Sequence, residues 1–133
     1  MARSKTAPKA AVFRLSLYLR ELERLCGQKV ATVSSLELGE ALKLNDAQVR
    51  RDLAYFGQFG HHGVGYRVNE LISEIRRILG TDRTWNVVVL GAGNLGRALS
   101  TFKGFRKRGF HIVGLFDNDP DKFGQKVGRL TLS

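Results

Sequence analysis

Apolar positions first recur at helical spacing between Val12 and Cys26. Leu15, Leu19, Leu22 and Cys26 form one stripe, widened by Tyr18 and Leu25. The pattern predicts a helix over 12–26, with Cys26 buried on its apolar face and Gly27 as the stop. The run VATV (30–33) is β-branched and short. Ser34 and Glu37 stand at capping-box spacing and predict a second helix ending near Leu42. Asn45 and Gln48 repeat that spacing and predict a third helix, from Asp46 to about Phe56, with Val49, Leu53 and Phe56 facing the core. A longer helix followed by two short ones across a tight turn is helix-turn-helix organisation.

Glycines 57, 60, 63 and 65 punctuate QFGHHGVGYRV, which suits a tight hairpin and reads as the wing of a winged helix. Asn69 is expected to cap a fourth helix whose core face is Leu71, Ile72, Ile75, Ile78 and Leu79, closed by Gly80. From Trp85 the periodicity changes. The strand NVVVL leads into a helix at about Leu95–Phe102, then a basic loop, KGFRKRG, and a second strand, FHIVGLF, ending at Asp117 with a trailing turn. The fold class is α/β. A disordered basic tail (1–11) precedes a winged-helix domain (12–80), a linker (81–84) and the first βαβ part of a Rossmann dinucleotide-binding domain (85–133).

Charge sharpens this picture. The net charge is +10, divided evenly between residues 1–84 and 85–133, and an excess of this size favours a polyanionic partner. Cys26 is the only cysteine, which excludes a disulfide framework and a multi-cysteine zinc site and fits a reducing cytoplasm. No apolar run reaches the length of a membrane span, and no apolar signal core follows the basic N-terminus.

The stretch Gly91-Ala92-Gly93-Asn94-Leu95-Gly96 matches G-x-G-x-x-G between a strand and a helix. The first glycine permits the turn, the second lets backbone approach a pyrophosphate, and the third lets helix and strand pack closely. The helix N-terminus offers unpaired N–H groups to phosphate. Asp117, 21 residues after Gly96, ends the next strand, where a carboxylate accepts hydrogen bonds from an adenosine ribose. Asn118 and Asp119 follow it and disfavour an added 2′-phosphate, so NAD(H) is the expected cofactor rather than NADP(H).

In QVRRDLAYFG (48–57) the N-terminal residues of a recognition helix face base edges. Gln48 suits a bidentate contact to adenine, and Arg50 or Arg51 suits guanine or phosphate. Adjacent on a helix, the two arginines point about 100° apart. Tyr55 either donates to a phosphate or packs internally. His62 and Gly63 sit at the wing tip, placed for phosphates or the minor groove. A metal site on His61 and His62 finds no carboxylate or cysteine nearby in sequence.

Taken together, SLYLRELERL, DAQVRRDLAYFGQFGHHGVGY, WNVVVLGAGNLGRAL, KGF and FDNDP resemble the Rex family of redox-sensing transcriptional repressors over nearly the whole chain after the tail. The resemblance implies a bacterial, cytoplasmic homodimer, not an enzyme. Its winged-helix heads bind double-stranded operator DNA at an inverted repeat, and its Rossmann domains sense the NADH/NAD⁺ ratio. NADH closes the dimer and releases the operator. It places the dinucleotide turn on residues 91–96, the ribose carboxylate on Asp117, and the recognition helix on Gln48, Arg50 and Arg51. Arg20 matches a first-helix arginine that pairs with an acidic residue from the far C-terminal region.

Three features depart from the family pattern: two positions and the C-terminal extent. The family often has Lys or Arg where His62 stands, and Tyr where Phe102 stands, a residue used in cofactor or dimer contacts. The family also continues through the rest of the Rossmann sheet to an exchanged helix, so the chain reads as C-terminally truncated. On that reading the DNA-binding half folds, the half-Rossmann unit is marginal and NADH switching is lost or crippled. Two competing readings remain. An NAD-dependent oxidoreductase fragment needs a proton-relay residue, and the sequence offers His111 inside a predicted strand. The other is a DNA-binding module with a non-functional Rossmann remnant. If the wing departure matters, His62→Arg raises duplex affinity at neutral pH in a binding titration; an unchanged affinity counts against it.

Overall fold

The computed structural model describes residues 6–133, so the expected basic tail with Arg3 and Lys5 lies largely outside the described residues. Two compact units follow one another, Met1–Gly80 and Thr81–Ser133. Segment 81–84, expected as a connector, belongs to the second unit, where the Arg83 guanidinium lies 5.4 Å from the Trp85 ring centroid.

In the first unit, α1 (Lys9–Gly27) starts three residues before Val12, because Ala11 is already fully buried and continues the apolar stripe. The expected tail therefore stops short of residue 9. The strand β1 (Thr32–Val33) leads to α2 (Ser35–Leu42), whose capping box is complete. Glu37 N–H donates to Ser34 Oγ at 3.0 Å, and Ser34 N–H donates to the Glu37 carboxylate at 2.7 Å. Lys43 closes α2 in the left-handed region (φ 57°). α3 (Asp46–Ala54) follows, capped by Asn45 Oδ1, which accepts from Gln48 N–H at 2.7 Å.

The hairpin of β2 (Gly60–His61) and β3 (Gly65–Arg67) forms with β1 an antiparallel sheet in the order β1-β3-β2. Gly65 makes this pairing possible: its φ is +85°, and a Cβ there would press on the Val33 carbonyl. α4 (Val68–Leu79) ends on left-handed Gly80 as expected, but its N-cap is Arg67, not Asn69. Asn69 lies inside the first turn, and its Oδ1 accepts from Cys26 Sγ. Cys26 is exposed rather than buried: the buried stripe of α1 ends at Leu22, one turn before it. The core joins Leu15, Tyr18 and Leu22 of α1, Leu38, Val49, Leu53, and Leu71 and Ile75 of α4, all at most 2% exposed.

In the second unit, β4 (Trp85–Leu90) and β5 (Phe110–Phe116) pair in parallel, with α5 (Asn94–Thr101) between them. Part of the expected basic loop is helical, as α6 (Lys103–Lys107). Its lone apolar residue, Phe105, meets Phe102 edge to face at 5.3 Å, a contact that leaves no periodic signature. The expected trailing turn also proves structured. A 3₁₀ turn over Pro120–Lys122 leads to a hairpin of β6 (Lys126–Val127) and β7 (Leu130–Thr131). This hairpin brings Val127 and Leu132 onto Leu115 and Ala92, which form the small core of this unit.

Because both halves of the α2 capping box are made, Ser34→Ala is expected to destabilise the first unit by about 1 kcal/mol. Chemical denaturation followed by circular dichroism measures this, and an unchanged midpoint contradicts it.

Candidate functional site

Among the residues of α3, Val49, Asp52 and Leu53 are buried, while Arg50 and Arg51 are exposed. The two arginines differ in their surroundings. Arg50 Nη1 donates to Asp46 Oδ2 at 2.6 Å, one turn back, and to Ser35 Oγ of α2 at 3.1 Å. The Arg50 hydrogen bond holds the Asp46 carboxyl below the usual carboxylate range. Arg51 makes no ion pair among the described residues, so its charge is fully available to a phosphate. Tyr55, the C-cap of α3, is 38% exposed.

Gln48 does not complete a second capping box. Its Nε2 donates instead to Asp52 Oδ1 at 2.8 Å, one turn deeper along α3. Asp52 is fully buried, and sequence reasoning passed over it as part of a polar helix. Arg14 of α1 grips its carboxylate with two donors, Nε to Oδ2 at 2.5 Å and Nη2 to Oδ1 at 2.9 Å. The Tyr18 hydroxyl donates to Oδ2 at 2.5 Å. These four donors use the acceptor capacity of a carboxylate. Burial pushes the Asp52 pKa up, but the hydrogen bonds from Arg14, Tyr18 and Gln48 outweigh it and hold the group below the ordinary aspartate range. Burial and the same carboxylate push the Tyr18 phenol well up. A signal was present: Asp52 falls on the stripe of Val49, Leu53 and Phe56, and Arg14 and Tyr18 stand four apart on α1.

The wing is tied to α4. His61 Nε2 lies 3.0 Å from Glu70 Oε2, and Arg67 Nη1 lies 3.5 Å from Glu70 Oε1. His61 is thus engaged by a carboxylate from α4, while His62 and Gly63 are exposed at the tip. Among the described residues no group of three His, Cys, Asp or Glu side chains is placed to hold a metal ion.

In the second unit, Gly91 turns the chain at φ +102°. A Cβ on Gly96 would overlap the Gly91 carbonyl, so the third glycine is required for α5 to leave the strand. A Cβ on Gly93 would meet open space, which is the freedom a close-approaching phosphate needs. Gly93 is the N-cap and supplies no side-chain acceptor, so the first N–H groups of α5, at Asn94 and Leu95, keep their donors for an anion.

Asp117 is drawn to this turn. Its Oδ2 accepts from Ala92 N–H at 2.7 Å and Lys122 Nζ at 3.3 Å, and its Oδ1 accepts from Asp119 N–H at 2.9 Å. The Ala92 and Asp119 N–H groups hold its pKa down, so it is ionised at neutral pH. Three donors leave about one acceptor position for a hydroxyl. The turn, the helix N-terminus and the carboxylate therefore fit the pyrophosphate and adenosine ribose of a dinucleotide. Phe102 is 60% exposed, at the end of α5, and Arg20 is exposed on α1; neither is brought to the turn or to α3 by the contacts within its own unit.

Asp52→Ala strands Arg14 and the buried Tyr18 hydroxyl. With Arg14 partly exposed, the expected loss is about 3 kcal/mol, the low end for breaking a buried pair. The sign with pH follows from the lowered pKa. Asp52 contributes its stability above the ordinary aspartate range and loses it as pH falls through the lower folded value. Denaturation midpoints across acidic pH are expected to fall more steeply in the wild type than in Asp52→Ala; parallel curves contradict this.

Residues 6–54 match the family described as putative DNA-binding protein N-terminus, and residues 82–132 match the CoA binding domain. A redox-sensing transcriptional repressor Rex of Carboxydothermus hydrogenoformans is 54% identical over 120 residues, covering 90% of this chain and 58% of the relative. The Rex of Chloroflexus aurantiacus is 48% identical over 132 residues, covering 99% and 62%. The chain thus spans about three-fifths of the length of the curated relatives it matches. Among solved structures, one of RSP in complex with NAD⁺ and operator DNA superposes with a TM-score of 0.88 at 43% identity, covering 96% of this chain and 59% of that one. RSP in complex with NADH gives 0.84 at 38%, covering 97% and 59%. The chain is thus similar to the Rex transcriptional repressors over 90–99% of its own length, a stretch that includes both the helix-turn-helix and the glycine turn.

Proposed function

We propose that the chain is the DNA-reading and nucleotide-sensing part of a transcriptional repressor, bound to operator DNA and released when NADH binds. One observation carries the reading. A single chain holds both a wing and exposed α3 arginines suited to a duplex and a glycine turn with an ionised carboxylate suited to a dinucleotide. The relative solved with NAD⁺ and operator DNA supports the pairing of these ligands. Gln48, Arg50, Arg51, Tyr55, His62 and Gly63 contact DNA. Residues 91–96 and Asp117 hold the adenosine half of NAD(H). Arg20 and Phe102 act in switching between subunits of a homodimer that matches an inverted repeat.

The nucleotide is a signal here, not a hydride donor. Its binding shifts a two-state equilibrium because one state binds it better. The named relatives are transcriptional repressors, and on this reading Asp117 serves a sugar hydroxyl and backbone donors, not proton relay. No helix among the described residues is long and apolar enough to cross a membrane.

Fluorescence anisotropy with a duplex selected from a randomised inverted-repeat pool, at fixed salt, tests this. The expected result is binding at least tenfold tighter than to a scrambled duplex, with the weakening by millimolar NADH but not NAD⁺ seen in the protein that carries the rest of the Rossmann sheet and reduced or lost in residues 1–133. Equal affinity for both duplexes overturns the DNA reading. Indifference of that longer protein to NADH reduces it to a DNA-binding module.

A further inference from the structure

The carboxylate of Asp52 does more than bind two helices together. Gln48 is half-buried on α3, and its Nε2 donates to Asp52 Oδ1 at 2.8 Å. An ionised carboxylate can only accept, so this contact fixes which end of the Gln48 amide faces inward. One N–H is committed, and Oε1 and the second N–H remain. The other donors to the carboxylate, Arg14 and Tyr18, come from α1. The orientation of Gln48 is thereby set jointly by its own helix and by α1.

We propose that Asp52 is a specificity-positioning residue, which touches no DNA but holds the Gln48 carboxamide in one orientation for reading a base edge. The proposal rests on the reading of α3 as the DNA-contacting helix. A glutamine free to flip presents donor or acceptor to the same base atom and discriminates poorly. A glutamine locked by a buried anion presents one pattern, at no further ordering cost when DNA arrives. Any displacement of α1 against α3 re-aims the same side chain, so base selectivity and the α1–α3 packing are coupled through one carboxylate.

The test uses the whole chain and the selected duplex, together with duplexes carrying each single base-pair change. The variants are Asp52→Asn, Gln48→Met, their combination, and Tyr18→Phe. Tyr18→Phe removes a hydrogen bond from the same carboxylate and leaves Gln48 attached. The expected result is that Asp52→Asn lowers discrimination at one base pair by about tenfold, the scale of one side-chain–base contact. In the Gln48→Met background it adds nothing, and Tyr18→Phe lowers stability while leaving discrimination intact. Additive losses, unchanged discrimination in Asp52→Asn, or a loss in Tyr18→Phe that tracks stability overturns the proposal.

A second measurement needs no variant. In the free wild-type chain, NMR is expected to show one of the two Gln48 side-chain amide protons protected from solvent exchange and its partner exchanging freely. Two equally unprotected protons overturn the lock. A wild-type chain that shows no base preference at any position while its Gln48 amide is locked overturns the DNA reading itself and leaves Asp52 as a packing device only.

Discussion

A buried carboxylate organises the first unit. Asp52 sits where an apolar residue would be expected, on the inward face of a nine-residue helix, and it is tolerated there only because four donors surround it. Without Arg14, burial alone would push the group toward its neutral form. With Arg14 and Tyr18 in place it stays charged and fixes how α3 lies on α1. The apolar contacts of Leu15, Leu22, Val49 and Leu53 supply the non-directional part of that packing, and the carboxylate supplies the directional part. Because the same helix carries Gln48, Arg50 and Arg51, the surface proposed to meet a duplex inherits its geometry from a group buried behind it.

The second unit uses a carboxylate differently. Asp117 accepts mainly from backbone N–H groups, at Ala92 and Asp119, and has one acceptor position left. Asp52 is saturated by side chains and faces inward, whereas Asp117 is under-filled beside an open glycine turn. One group is built to hold, the other to receive. The two differ in filled acceptor positions rather than in burial, since both side chains are nearly inaccessible.

Much of this was legible in the residues, in uneven measure. The capping residues Ser34 and Asn45, the stops at Leu42 and Gly80, the wing glycines and the strand–turn–helix at Gly91–Gly96 each carry a local rule, and each forms as read. The failures share a cause. Asn69 and Cys26 were read from local preference, but the path of β3 into α4 moves the cap to Arg67 and brings the two together instead. Helix α6 and the β6–β7 hairpin are too short for periodicity to register, and they are held by Phe102 and by Leu115 from elsewhere in the unit. Asp52 was missed because its partners lie 34 and 38 residues away. A polar residue on an apolar stripe, with Arg and Tyr at matched spacing on a neighbouring helix, is the signal to look for.

The packing of α3 on α1 depends on Asp52 staying ionised. A ¹³C-detected NMR titration of the side-chain carboxyl groups, assigned at Asp52, reads it directly. The account predicts a resonance that stays in its ionised position well below the pH at which exposed aspartates titrate, and then shifts together with loss of the folded spectrum. A carboxyl that titrates with, or above, the exposed aspartates while the fold persists would contradict it.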